Sequence, residues 1–201
     1  MLQPQALLFD MDGVLVDSFE SWFSALNHAI RSFDLPEVSK EQFTQKYWGH
    51  DLSNNLEKAG LSKDIVSFCN VIYEDHIDQV RIYPKIKETL EQLKMYKKAI
   101  ITNTPKSCAL QILERFNLAQ YFETVVTIDH VKQGKPDPGL IYKACEELGV
   151  KPSDTVIIGD TESDIQAGKA AGCTVIGVRI QADYSIRSLD ELLSILQVNN
   201  V

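Results

Sequence analysis

In this sequence, residues with chemical potential cluster just after short apolar runs. Asp10-Met11-Asp12-Gly13 follows Ala6 to Phe9, Thr102-Asn103-Thr104 follows Ala99 to Ile101, and Gly134-Lys135-Pro136 comes after Thr124 to Ile128. Thr155 to Ile158 is followed by Gly159-Asp160, with Asp164 four residues on. Asp10, Asp12 and Asp160 gathered in one place would repel one another, so the group calls for a cation, and Mg²⁺ with oxygen ligands and retained waters suits it. Lys135, the Thr102 hydroxyl and the backbone N–H groups of the Asp12-Gly13 turn offer what phosphate oxygens accept. Together they describe a phosphoryl site. Singly, each has a plainer reading: a turn at Asp12-Gly13, a helix cap at Asp164, a surface lysine at Lys135, a loop hydroxyl at Thr102. Agreement in order and chemistry across four run ends favours the site. A calcium loop starting at Asp10 fails, because its sixth and twelfth positions need Gly and Glu and hold Leu15 and Ser21.

Such residues converge only if the runs are neighbouring strands. The runs named above, with Cys173 to Val178, are continuously apolar rather than alternating, as strands buried on both faces of a parallel sheet are. Helical patterns lie between them: Ile86 to Leu93; Pro105 to Phe116, with Thr104 as N-cap and Pro105 at the first helical position; Leu140 to Leu148; Ile165 to Ala171; and Leu189 to Leu196, opened by the capping-box pair Ser188 and Glu191. Strand alternating with helix predicts an α/β, doubly wound, Rossmann-like parallel sheet, whose ligand crevice lies beyond the carboxyl ends of the strands. The exception is the stretch from about Asp17 to Val80. Phe19, Trp22, Phe23, Leu26, Ile30 and Phe33 recur at helical spacing, as do Ile65, Phe68, Cys69, Ile72, His76 and Ile77. These stripes read as packing rather than a cofactor box, and the stretch as an all-helical insertion. The expected division is a core of residues 1–16 and 81–201 with a helical domain of 17–80.

At 201 residues, 44% of them hydrophobic, the chain can bury a real core. Its 28 acidic residues outnumber 20 Lys plus Arg, for a formal charge of -8, which disfavours a nucleic-acid backbone as partner. Cys69, Cys108, Cys145 and Cys173 form no CxxC pair and read as reduced core residues. No apolar run approaches the ~20 residues of a membrane span, and no basic region precedes a cleavable apolar stretch. A soluble, cytoplasmic protein, monomer or weak homodimer, is expected.

The blocks Asp10-Met11-Asp12-Gly13-Val14-Leu15-Val16-Asp17-Ser18, Ile101-Thr102-Asn103, Gly134-Lys135-Pro136-Asp137-Pro138 and Ile158-Gly159-Asp160-Thr161-Glu162-Ser163-Asp164 resemble, in order, the motifs of the haloacid dehalogenase (HAD) superfamily. The helical insertion looks like that family's small cap, as in phosphoglycolate phosphatases and β-phosphoglucomutases. The resemblance implies Asp10 as nucleophile, Asp12 as general acid and base, and Thr102, Asn103, Lys135 and Gly13 around the phosphoryl oxygens. It implies Mg²⁺ held by Asp10, Asp160 and the main-chain carbonyl of Asp12, with Asp164 steadying the arrangement. Departures stand at Lys85, where the family often has Gly, and Gly139, where it often has Asp. The loop Tyr47-Trp48-Gly49-His50-Asp51 is the candidate contact with the leaving group, through Trp48, His50 and Asp51; an ordinary helix connector with a buried Trp48 is the equal alternative.

The implied function is a Mg²⁺-dependent phosphatase acting on small phosphomonoesters (phosphoglycolate-like, sugar phosphate or nucleotide) through an aspartyl-phosphate. The alternative is a mutase of the β-phosphoglucomutase type. Such enzymes commonly carry Arg just after the position of Gly49, where this chain has His50, Asp51 and Leu52. A signalling receiver domain is disfavoured, since its phosphorylated aspartate follows the third strand rather than the first.

Overall fold

The computed structural model describes residues 1–58, 60 and 62–197, with all their side chains except that of Lys63. The expected ranges 17–80 and 81–201 therefore include positions 59, 61 and 198–201, which lie outside the described residues. In chain order the elements are β1 (Ala6–Phe9), β2 (Val16–Asp17), α1 (Phe19–Ser32), α2 (Lys40–Lys46), α3 (Leu52–Lys58), α4 (Lys63–Asp75), β3 (Arg81–Ile82), α5 (Ile86–Gln92) and β4 (Lys97–Thr102). Then come α6 (Lys106–Arg115), β5 (Thr124–Thr127), α7 (Gly139–Leu148), β6 (Thr155–Gly159), α8 (Glu162–Ala171), β7 (Thr174–Val178), β8 (Tyr184–Ile186) and α9 (Leu192–Ile195).

One sheet has the order β5-β4-β1-β6-β7-β8, parallel throughout. Alternation of the side chains explains the continuous apolar runs. Leu7 and Phe9 enter one core cluster while Ala6 and Leu8 enter the other, and all four are fully buried. Each fully buried Leu or Phe contributes roughly 1.5–3 kcal/mol, so even the four-residue β1 is held firmly at the sheet centre. Register then sets the site: Phe9 pairs with Ile100 and Ile158, so β1, β4 and β6 end at nearly one level.

The helices α1 to α4 stand between β2 and β3, which pair antiparallel at the two joins with the sheet domain. Their apolar faces share a core cluster with one face of the sheet: Ala25, Leu26, Ile65 and Cys69 pack in the same group as Phe9 and Ile100. The stripe on α4 is less uniform than expected, since Phe68 faces outward at 39% exposure.

Several expectations are corrected. Helix α6 starts at Lys106 with Pro105 as N-cap, so Thr104 does not cap it. The segment after Ser188 is a 3-10 turn, Leu189–Glu191, followed by the single turn of α9, and the Ser188 hydroxyl bonds Asp190 rather than a helix N–H. Strands β2, β3 and β8 have two, two and three residues, too short to carry any periodicity.

At Lys85 the backbone is left-handed, φ 60° and ψ 12°, the conformation a glycine would take there, and the side chain pairs with Asp190 at 2.6 Å. Gly139 is the first residue of α7, after Pro138 as N-cap, and the Asp137 carboxylate accepts its N–H at 2.9 Å.

Candidate active site

The sheet's backbone ladder runs one residue past β1, with the Asp10 N–H donating to the Ile158 carbonyl at 2.9 Å. Asp10 is thereby fixed between β4 and β6 with its side chain 4% exposed. Its Oδ1 accepts the Met11 N–H at 2.7 Å and faces Lys135 Nζ at 2.8 Å. Lys135, from the loop after β5, also bonds Asp164 at 2.6 Å and the Ile101 carbonyl at 3.3 Å. Burial works against the lysine's charge, but Asp10 and Asp164 more than offset it and raise its pKa. Burial, and then repulsion from Asp164, Asp160 and Asp12, holds Asp10 well above the usual carboxylate range despite Lys135.

Asp12 sits among hydroxyls. Ser18 donates to its Oδ1, while Thr104 at 2.6 Å and Thr102 at 3.4 Å donate to Oδ2. Thr102 in turn accepts the Thr104 N–H at 3.1 Å, which aims both hydroxyls inward.

The expectation that Gly13 offers a free N–H to phosphate is overturned. That N–H donates to the Val16 carbonyl at 2.7 Å within the turn. Glycine is required there for another reason: its φ is 78°, and a Cβ would lie 2.0 Å from an Asp160 carboxylate oxygen. Gly13 clears the space for Asp160.

Oxygens of Asp10, Asp160 and Asp164 lie within 4.8 Å of one another. Burial first, and Asp164 next, push the Asp160 pKa up to about 7. Asp160 Oδ1 is buried without a hydrogen-bond partner among the described residues. An orphaned carboxylate oxygen beside two further carboxylates is a hard-oxygen set that fits a divalent cation such as Mg²⁺. Asp164 makes two sets of contacts at once. Oδ2 caps α8 through the N–H and hydroxyl of Thr161 at 3.1 and 2.6 Å, while Oδ1 meets Lys135.

Over this floor lies the loop 47–51 between α2 and α3. Gly49 takes φ 70° and faces Thr161 so closely that a Cβ would fall 2.4 Å from its methyl. The Gly49 carbonyl accepts from Asn103 at 3.3 Å, His50 Nδ1 meets the Ser163 hydroxyl at 2.8 Å, and Asp51 accepts the Gly134 N–H at 3.1 Å. Asn103 also grips both backbone groups of Lys135, at 2.8 and 3.0 Å. A cavity of about 110 Å³ lies between floor and loop, lined by Asp10, Asp12, Thr102, Asn103 and Lys135 below and by Trp48, His50 and Asp51 above. Trp48 lines the cavity and packs on Phe19, ring centroids 5.1 Å apart.

Sequence reasoning missed Ser18, Thr104, Trp22 and Arg179. Arg179 directly follows the run Cys173 to Val178, so applying the strand-end rule to a fifth run points to it. It donates to the Gly13 carbonyl and lowers the Asp160 pKa. Trp22 lines the cavity from α1 and stacks on Tyr73 at 3.7 Å, although its helical spacing marks it only as packing.

Residues 7–178 match the family model described as haloacid dehalogenase-like hydrolase. The phosphoglycolate phosphatase of Aquifex aeolicus is 34% identical over 174 residues, 84% of this chain and 81% of that one. Pyrophosphatase PpaX of Bacillus cereus is 28% identical and covers 96% of this chain and 97% of its own. Among solved structures, a predicted phosphoglycolate phosphatase from Haemophilus somnus superposes with a TM-score of 0.80 at 27% identity, over 97% of this chain and 99% of that one.

Proposed function

Because this chain belongs to the haloacid dehalogenase-like hydrolases, we propose that it is a Mg²⁺-dependent phosphatase hydrolysing small phosphomonoesters through an aspartyl-phosphate on Asp10. The observation that carries this reading is the buried contact of Asp10 with Lys135, next to the orphaned oxygen of Asp160, at the floor of a cavity. Oδ1 of Asp10 is engaged by Met11 and Lys135, which leaves Oδ2 to attack phosphorus. As the new O–P bond forms, the ester O–P bond breaks, and Asp12 gives its proton to the departing alkoxide. Asp12 then takes a proton from the water that attacks the aspartyl-phosphate, releasing inorganic phosphate and restoring both carboxyl groups.

Phosphoryl transfer asks mainly for positioning and charge neutralisation. Thr102, Asn103 and Lys135 are assigned to holding the phosphoryl oxygens. Asp10, Asp160 and the Asp12 main-chain carbonyl are assigned to holding Mg²⁺, with Asp164 orienting Lys135. When bound, the cation offsets the carboxylate charge and draws electron density from the phosphoryl group. Residues 17–80 act as a cap whose 47–51 loop excludes water and touches the leaving group through Trp48, His50 and Asp51.

The test is a panel of phosphomonoesters with Mg²⁺, comparing the native chain with Asp10→Asn. Native turnover, loss with chelator and a fall of at least 1,000-fold, on the order of nucleophile removal in other covalent enzymes, are expected for the variant. Chelator-resistant hydrolysis by Asp10→Asn would sink the mechanism.

A further inference from the structure

Catalytic groups line the floor of the cavity. On its cap side much of the wall is apolar, with Trp22 and Leu26 from α1, Phe43 from α2, Leu52 from α3 and Val66 from α4, interrupted by the polar groups of Tyr47, His50, Asp51, Ser53 and Asn70. The charged cap residue in that lining is Asp51, an acid, buried and held by the N–H groups of Asn54 and Gly134. Among the described residues, Lys135 is the lysine or arginine that lines the cavity, and Asp10 and Asp164 already pair with it. Cationic cap side chains do exist nearby. Lys46 and Lys58, however, line a separate groove on the outer side of the 47–51 loop. His50 borders both spaces, and burial together with Lys58 lowers its pKa, which favours the uncharged ring.

A carboxylate or second phosphate in that compartment would lose its water and meet no opposite charge. An apolar body would instead displace water from aromatic and aliphatic walls.

We propose that the leaving-group compartment selects phosphomonoesters of neutral alcohols with an apolar body and rejects leaving groups that carry a second anionic charge. This rests on the phosphatase reading above, and it sets the chain apart from the activities named for its relatives, since phosphoglycolate and pyrophosphate both carry that second charge.

The experiment compares kcat/KM of the native protein with Mg²⁺ on matched pairs: propyl phosphate against 2-phosphoglycolate, benzyl phosphate against 4-carboxybenzyl phosphate, with pyrophosphate alongside. The neutral member of each pair is expected to be favoured at least tenfold, and pyrophosphate to be the poorest substrate. Asn70→Lys, which places a cation on the cap wall, is expected to narrow the gap within each pair at least threefold. Phosphoglycolate or pyrophosphate turned over as well as the neutral esters would overturn the charge selection while leaving the phosphatase reading intact. Absence of Asp10-dependent turnover of every compound would overturn both.

Discussion

Asp12, to which the proposed mechanism assigns proton transfer, shows how several segments can converge on one side chain. Its two oxygens collect hydroxyls from Ser18, Thr102 and Thr104, three residues whose types alone suggest loop polarity. Thr104 makes the firmest of the threonine contacts, at 2.6 Å against 3.4 Å for Thr102. Thr104→Val removes that donor at nearly constant volume. We expect kcat to fall about tenfold or more, within the range general acid–base groups supply, while KM changes little. An unaltered kcat would show that the hydroxyl does not position Asp12. Asp164 teaches a related lesson: cap and lysine partner are compatible because a carboxylate has two oxygens.

Among the elements, the 47–51 loop lines the cavity opposite Asp10 and Lys135. Its seating needs Gly49 at φ 70° against Thr161. Gly49→Ala puts a methyl into that contact and strains the backbone, so steady-state kinetics should show KM rising and kcat falling together, with kcat/KM down at least tenfold. Turnover equal to the native protein's would mean the loop is not part of the working site. Lys85 makes the opposite case at the start of α5. A non-glycine residue in the left-handed region is costly, and its ion pair with Asp190 is exposed enough to return little. Lys85→Gly should therefore raise the melting temperature by about 2–4 °C, the shift expected for ~1 kcal/mol in a chain of this size; a lowered Tm would assign the pair a larger role than solvent exposure permits.

For the whole molecule, the crowded acids link stability to pH and to metal. The folded Asp160 carboxyl titrates at about 7, while an unfolded aspartate releases its proton near pH 4. Between those values the folded Asp160 binds more protons than the unfolded one, so in chelator its contribution to stability is lost as pH rises from about 4 to about 7. A cation that offsets the carboxylate charge reverses this. Mg²⁺ at a hundredfold over its dissociation constant should raise the melting temperature by about 5–10 °C at pH 8 and by less at pH 5. Calorimetric melts in chelator and in Mg²⁺ across pH 5 to 8 check this; a Mg²⁺ effect that is larger at pH 5 would contradict the assigned ligands.

How much of this was legible from the sequence follows from which interactions are local. Both-face burial writes itself as unbroken apolar runs, so the central strands β1, β4 and β6, their parallel arrangement and the residues at their ends can be read directly; Asp10, Lys135 and Asp160 lie together because strand ends in a parallel sheet meet at one edge. The helical character of the insertion was equally readable from spacing. Two- and three-residue strands leave no such trace, and hydrogen bonds between distant segments leave none either. Only the tertiary structure could turn Thr104 from a cap into a partner of Asp12, commit the Gly13 N–H to Val16, and bring Trp22 and Val66 around one cavity with Lys46 and Lys58 outside it. Those outcomes depend on which face of a helix meets which loop, and packing between segments far apart in the chain, not local residue preference, settles that.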